Sequence, residues 1–186
     1  DTKRHQGAVR ATLRRRADGR PLAVIATHLT SGSKPEEEHA RLKELTAPSL
    51  GRTGAKDAMS LLDWISSSAQ PMVVCLDTNS APDFPMAPAG DANVYRTLRG
   101  VGGMRGAWDA FYTAAGEPHR GYRAVTTNKM RGPLSAQPKK MGEHTYGCVD
   151  AIFYRGNGFE LLQHAWGPLE CAPLPSTLGD MWHALL

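Results

Sequence analysis

The chain has 186 residues, of which 41% are hydrophobic and 22% charged, and its formal net charge is +4 at pH 7. That composition fits one globular domain with a sizeable core and excludes an extended disordered chain. No run reaches the roughly 18 to 20 consecutive apolar residues that a membrane helix needs, so we expect no membrane partner.

The cysteines and the basic residues add two expectations. Cys75, Cys148 and Cys171 are an odd number of widely spaced cysteines, which favours a reducing, intracellular location and disfavours a zinc site, so any metal should be held mainly by oxygen. Basic residues concentrate in residues 1 to 20 and 120 to 143. These segments are either solvated faces or contacts to phosphate groups.

The first elements are predicted to be two strands. "GAVRATLRRR" (7–16) alternates small or apolar with polar residues, as a half-buried strand does, and ends at the turn "ADGR". "PLAVIATHL" (21–29) is nearly continuous in apolar and β-branched residues. That run predicts a central strand covered on both faces and ending near His28.

Two helices and a third strand are predicted next. Pro35 and the glutamates after it make a favourable first helical turn, and apolar residues at helical spacing predict a second helix over residues 55 to 66. A buried strand follows at residues 72 to 76 and stops at the polar residues of "VVCLDTNSAP" (73–82).

The second half of the chain is less regular. Helices are predicted at residues 92 to 99 and 106 to 116, whereas residues 116 to 147 have no clear period. "CVDAIFYRG" (148–156) and "FELLQHAW" (159–166) predict a hairpin, and "WHALL" (182–186) predicts a last strand. Asp150 would then lie inside an apolar strand, where a carboxylate is costly unless it is paired or coordinated.

Five polar groups lie in or at the ends of these strands: His28, Asp77, Asn79, Asp150 and His183. Taken singly, His28 could be a core histidine, and Asp77 and Asn79 could form an Asx turn that ends the strand. Asp150 could be a buried partner of a nearby arginine. Taken together, without a nucleophile motif, a Walker lysine or a Rossmann fingerprint, they favour chemistry on a phosphate.

Four motifs in order, "ATHLTSG", "VVCLDTNSAP", "CVDAIFYRG" and "PSTLGDMWHALL", resemble the endonuclease/exonuclease/phosphatase superfamily, above all the carbon-catabolite-repressor-type deadenylases and nocturnin. The resemblance spans nearly the whole chain and implies a two-sheet α/β sandwich. It also implies that residues 1 to 186 are only the carboxyl-terminal half of one such domain. The apolar sheet face of that half would be covered by the missing half or by a partner chain.

The resemblance also assigns roles to residues near the strand ends. It implies that His28 stabilises charge on the scissile phosphate, that Asp77 orients the attacking water, and that Asn79 holds a phosphate oxygen. Asp150 would support the histidine network. Leu76 and Thr78 depart from the family's usual glycine and phenylalanine, but the Asp-x-Asn spacing survives.

The closing motif departs further from the family. His183 would be the general base held by Asp180, but "GDMWH" separates the two residues by three positions where the family has them adjacent. The resemblance implies magnesium as cofactor, with Asp77, Asn79 and His183 as ligands here and the main glutamate ligand in the missing amino-terminal half.

The expected function is magnesium-dependent phosphodiester hydrolysis, in particular 3′ to 5′ removal of nucleotides from RNA, with Lys129 and Arg131 as substrate contacts. One alternative is a nocturnin-like phosphatase acting on a dinucleotide. Another is a catalytically inactive family member that serves as a structural or RNA-binding subunit, which the disturbed "GDMWH" motif favours.

Overall fold

Among the residues that this computed structural model describes, eight strands form two sheets. The structure describes residues 7–32, 35–48, 59–80, 93–114, 126–130, 142–157, 159 and 174–175. The strands are β1 (Ala8–Arg14), β2 (Pro21–His28), β3 (Met72–Asp77), β4 (Arg105–Gly106), β5 (Thr127–Met130), β6 (His144–Gly147), β7 (Asp150–Arg155) and β8 (Leu174–Pro175). The helices are α1 (Pro35–Thr46), α2 (Leu61–Ser66), α3 (Val94–Gly100) and α4 (Ala107–Ala114).

The larger sheet has the strand order β1-β2-β3-β7-β4, and the smaller has the order β6-β5-β8. β2 and β3 run parallel, whereas β1 pairs antiparallel with β2, and β7 pairs antiparallel with β3. The α/β class with two sheets that the sequence predicts is confirmed. None of the described helices is long and apolar enough to cross a membrane.

A tight turn joins β1 to β2, as "ADGR" predicts. Gly19 takes the left-handed conformation (φ 73°), and the amide of Arg20 donates to Asp18 Oδ1 at 3.1 Å. Arg15 Nε donates to the same oxygen at 2.7 Å. This hydrogen bond from Arg15 holds the pKa of the Asp18 carboxyl well below its usual range.

One face of the larger sheet packs against helices and forms the core. Its side chains alternate along the strands with those of the other face, and Ile25, Val74 and Phe153 are at most 1% exposed. The core cluster also includes residues of α1, α2 and α3. The ring of Tyr95 on α3 lies 4.9 Å from that of Phe153, which fixes α3 over β7.

The opposite face of this sheet is open. Val9 is 69% exposed, Leu13 52% and Ile152 49%. The predictions that β1 is half-buried and that β2 is covered on both faces are therefore wrong for this chain, since only one face of β2 is buried. Continuous hydrophobicity predicted two-sided burial, but burial also needs a second layer over that face.

The second helix is shorter than predicted, because a capping box starts it at Leu61. Ser60 Oγ accepts from the amide of Asp63 at 3.1 Å, and Asp63 Oδ2 accepts from the amide of Ser60 at 2.9 Å. The Ser60 hydroxyl also donates to that carboxylate, and these bonds lower the pKa of Asp63. Apolar spacing alone extended the prediction past this cap.

Arg155 joins three segments at the end of the sheet where β3 begins. It is the register partner of Met72. Its Nη1 donates to the carbonyl oxygens of Ile65 at 2.9 Å and Gly102 at 2.8 Å, and Nη2 donates to that of Ser68. The carboxyl end of α2 and the turn after α3 are thereby fixed to β7.

The remaining predictions have mixed outcomes. Helices α3 and α4 form close to their predicted bounds, and Asn93 caps α3 through its side chain, which accepts from the amide of Arg96 at 2.8 Å. β5 and β6 lie in the segment without a clear period, so they were missed. The predicted strand at residues 159–166 lies outside the described residues except for Phe159, and the one at residues 182–186 lies wholly outside them.

Candidate functional site

His28 and Asp77 are the last residues of two neighbouring parallel strands. They are register partners, and the ladder continues for one more bond, from the amide of Leu29 to the carbonyl of Asp77 at 3.0 Å. His28 Nε2 lies 3.5 Å from Asp77 Oδ2. Because carboxyl ends of parallel strands meet at one edge of a sheet, two polar residues far apart in sequence become neighbours there.

Asn79 completes this cluster through its backbone as well as its amide group. Its φ of 47° places it in the left-handed region, where asparagine is among the few residues tolerated. The backbone nitrogen of Asn79 donates to Asp77 Oδ1 at 2.9 Å, which forms the Asx turn considered from the sequence. The turn directs the side chain back toward β2.

The amide of Asn79 also determines which ring nitrogen of His28 carries the proton. Asn79 Nδ2 lies 2.8 Å from the carbonyl oxygen of Leu29 and 2.9 Å from His28 Nε2. A flipped amide would set two oxygens against each other at Leu29, so the nitrogen must face that carbonyl. His28 Nε2 therefore accepts a hydrogen bond, and a neutral ring carries its proton on Nδ1.

Asp150 on β7 lies directly opposite Asp77 on the neighbouring strand β3. The two are register partners in the β3–β7 pair, so their side chains share the open face. The prediction that Asp150 lies inside a strand is wrong, because it is the first residue of β7 and is exposed. Thr126 Oγ1 accepts from the amides of Val149 and Asp150 at 2.9 Å each and fixes where the strand begins.

The side chains at this strand end are of the chemical type that binds magnesium. Asp77 and Asp150 supply carboxylates, and Asn79 supplies an amide oxygen that accepts no hydrogen bond from the described residues. Hard oxygen ligands of this type suit Mg²⁺, and a cation near Asp77 and Asp150 would offset the repulsion of like charges across two strands. Within the described ranges, no group of three or more His, Cys, Asp and Glu has a metal-binding arrangement.

The structure brings together four of the predicted site residues and leaves the others untested. His28, Asp77, Asn79 and Asp150 meet at one end of the larger sheet. Lys129 belongs to β5, where its backbone pairs with Thr145 and Leu174. Arg131, Asp180 and His183 lie outside the described residues.

Several buried polar residues beside the cluster were not predicted. The Oγ1 of Thr78 lies 2.6 Å from the carbonyl oxygens of both Ser80 and Val149, which joins the loop after β3 to the start of β7. Glu38 and Arg41 on α1 are 1% and 0% exposed. Their sequence signal was weak, since a charged pair three residues apart on a helix is usually solvated.

No protein-family model matches the chain, and no curated protein matches it either. The chain is similar to the structure of the human nocturnin catalytic domain with bound sulfate anion. The identity is 20% and the TM-score 0.44, over 80% of this chain and 41% of that one. Nocturnin is among the relatives that the four sequence motifs resemble.

Proposed function

We propose that this chain supplies the phosphate-binding part of a phosphodiester hydrolase. The observation that carries the proposal is the cluster at the end of β2 and β3, where the imidazole of His28 lies 3.5 Å from the carboxylate of Asp77 and 2.9 Å from the amide nitrogen of the Asn79 side chain. Their alignment by backbone hydrogen bonds gives the preorganisation that stabilisation of developing charge requires.

Each residue of the cluster has a role in this proposal. His28 donates from Nδ1 to a non-bridging oxygen of the phosphate, and Asp77 orients the attacking water. Asn79 acts on the phosphate through the ring that it orients, because its amide nitrogen is already directed at Leu29 and His28. Asp150 and the terminal pair Asp180 and His183 manage the proton, as the sequence resemblance implies. Magnesium at Asp77, Asp150 and Asn79 would supply charge stabilisation on the phosphate oxygens.

RNA attacked from its 3′ end is the proposed substrate, with poly(A) as the first to test. Support comes from the basic segments of the sequence, which include the proposed contacts Lys129 and Arg131. A phosphorylated dinucleotide presents the same phosphate chemistry and is the competing substrate. Binding of RNA without turnover would identify the inactive, RNA-binding alternative.

The test compares hydrolysis by the full-length protein carrying this chain with that of two histidine variants. His28→Ala should lower kcat/KM about 100-fold, since loss of one charge-stabilising group typically has an effect of that order. His39→Ala is the matched control, because this histidine is exposed on α1 and outside the cluster.

Rates are measured with poly(A) and with a phosphorylated dinucleotide, each in the presence of magnesium. The substrate consumed faster is the preferred one. Equal rates for His28→Ala and the wild-type protein, or consumption of neither substrate, would contradict the proposed hydrolase.

A further inference from the structure

Glu38 and Arg41 form a buried ion pair behind the candidate site. Glu38 Oε2 accepts from Arg41 Nε at 2.8 Å and from Nη2 at 2.6 Å. Both side chains are almost fully excluded from water. Removing two charges from water is costly, and an apolar pair of similar volume is often equally stable, so the pair's contribution has to be sought in what it holds in place.

Arg41 holds the loop that follows His28. Its Nη1 donates to the carbonyl oxygens of Thr30 and Gly32, each at 3.0 Å. Thr30 directly follows Leu29, whose carbonyl orients the amide of Asn79, and Gly32 lies two residues beyond Thr30. The position of that carbonyl therefore depends on the guanidinium group behind it.

Glu38 holds the loop that follows Asp77. Its Oε1 accepts from the hydroxyl of Ser80 at 2.8 Å and from the amide of Val94 at 2.8 Å. Ser80 is 1% exposed and comes directly after Asn79. One ion pair thus fixes the residues that follow both partners of the Leu29–Asn79 hydrogen bond.

We propose that Glu38 and Arg41 are positioning residues that set the tautomer and orientation of His28. They do so by holding the Leu29 carbonyl and the Asn79 amide at hydrogen-bond distance, which makes His28 Nε2 an acceptor. The effect on the ring needs only the described geometry, whereas the effect on catalysis rests on the proposed function.

The test uses the double variant E38M/R41M, which removes both charges and leaves neither unpaired. Its matched control is R155M, which removes an arginine that donates to three backbone carbonyls, one in α2 and two in the segments after α2 and α3, at the opposite end of β3. The readout is the pair of ring ¹⁵N chemical shifts of His28, assigned with His28→Ala, in the full chain at a pH where the ring is neutral.

A second pair of variants perturbs the fold less. S80A removes the buried hydroxyl that donates to Glu38, and S67A removes an exposed hydroxyl, which donates to the carbonyl of Asp63 away from the cluster. The wild-type protein, R155M and S67A should show a single His28 tautomer with its proton on Nδ1. E38M/R41M and S80A should show a mixture of tautomers.

Kinetics separate this proposal from the proposed function. With an active protein, kcat of E38M/R41M should fall about tenfold more than kcat of R155M, with KM within about twofold of the wild-type value, as misalignment predicts. An unchanged His28 tautomer in both E38M/R41M and S80A would overturn the positioning role. If the wild-type protein hydrolyses nothing, the proposed function fails, and the ring shifts still decide the positioning role.

Discussion

An arginine lies behind the loops at each end of the larger sheet and donates hydrogen bonds to their carbonyl groups. Arg41 contacts the loop after β2, and Arg155 contacts the segments around the start of β3. At the first end the neighbouring residues are His28, Asp77 and Asn79, whereas among the described residues the hydrogen bonds of Arg155 go to backbone carbonyls of α2 and of the segments that follow α2 and α3. The same type of contact therefore supports a polar cluster at one end and a helix terminus at the other.

The residues with positive φ also differ between the two ends of the sheet. Near Arg155 they are glycines, Gly102, Gly103 and Gly156, with φ of 57°, 72° and 121°. At the cluster end, Gly32 also has positive φ (141°), and with it stands Asn79, the only described non-glycine with positive φ. A turn alone is served by glycine, so the asparagine indicates that its side chain is needed.

The largest expected effect comes from breaking the buried ion pair. R41M leaves the Glu38 carboxylate buried without its partner and should lower the free energy of unfolding by about 3–5 kcal/mol, against about 1–3 kcal/mol for R155M. The measurement is chemical denaturation. E38M/R41M should recover part of the loss, because it removes the unpaired charge but leaves the Ser80 hydroxyl and the Val94 amide without their acceptor. A double variant no more stable than R41M would contradict this account.

Substitutions at Asn79 separate its backbone role from its side-chain role. Asn79→Ala and Asn79→Gly should both lower hydrolysis about 100-fold, since each removes the amide group. Asn79→Gly should be more stable than Asn79→Ala by about 1 kcal/mol, because a Cβ is disfavoured at positive φ.

Gly103→Asn is the control at the other end of the sheet. A Cβ at Gly103 would meet its nearest atom only at 3.9 Å, but φ there is 72°, so this substitution should leave activity close to the wild-type value and lower the free energy of unfolding by about 1 kcal/mol or less. If Asn79→Gly retained full hydrolysis, the side chain of Asn79 would have no part in the site.

The smallest expected effect concerns acid sensitivity at the Arg155 end. The hydrogen bond from Ser60 lowers the pKa of Asp63, so the capping box stabilises α2 above the unfolded-state pKa of about 3.9 and loses this contribution as pH falls through the lower folded value. Asp63→Asn should therefore lose less stability than the wild-type protein between pH 7 and pH 3. Denaturation at the two pH values measures it, and an identical loss in both proteins would exclude the cap as a source of acid sensitivity.

Local patterns predicted the strands of the cluster, because alternation and β-branching identify β2 and β3 and polar residues mark their ends. His28, Asp77 and Asn79 were found in this way. The exposure of Asp150 was not predictable from its apolar neighbours, because β7 begins at that residue, where Thr126 binds its amide.

The buried ion pair was missed for a different reason. In "EEEHAR" (36–41) the charges have the pattern of a solvated first helical turn. Only tertiary packing places Glu38 beside Ser80, which lies 42 residues away in the sequence. The roles of Asp180, His183, Lys129 and Arg131 remain predictions.

The strand β1 has a consequence for self-association. It lies at one edge of the described five-stranded sheet, and Arg10, Thr12 and Arg14 alternate along it as exposed side chains. A second copy adding a strand at this edge would bring guanidinium groups against each other, which opposes sheet extension between molecules. Because salt screens such repulsion beyond about 10 Å at 0.1 M, the chain should become more prone to aggregate as ionic strength rises.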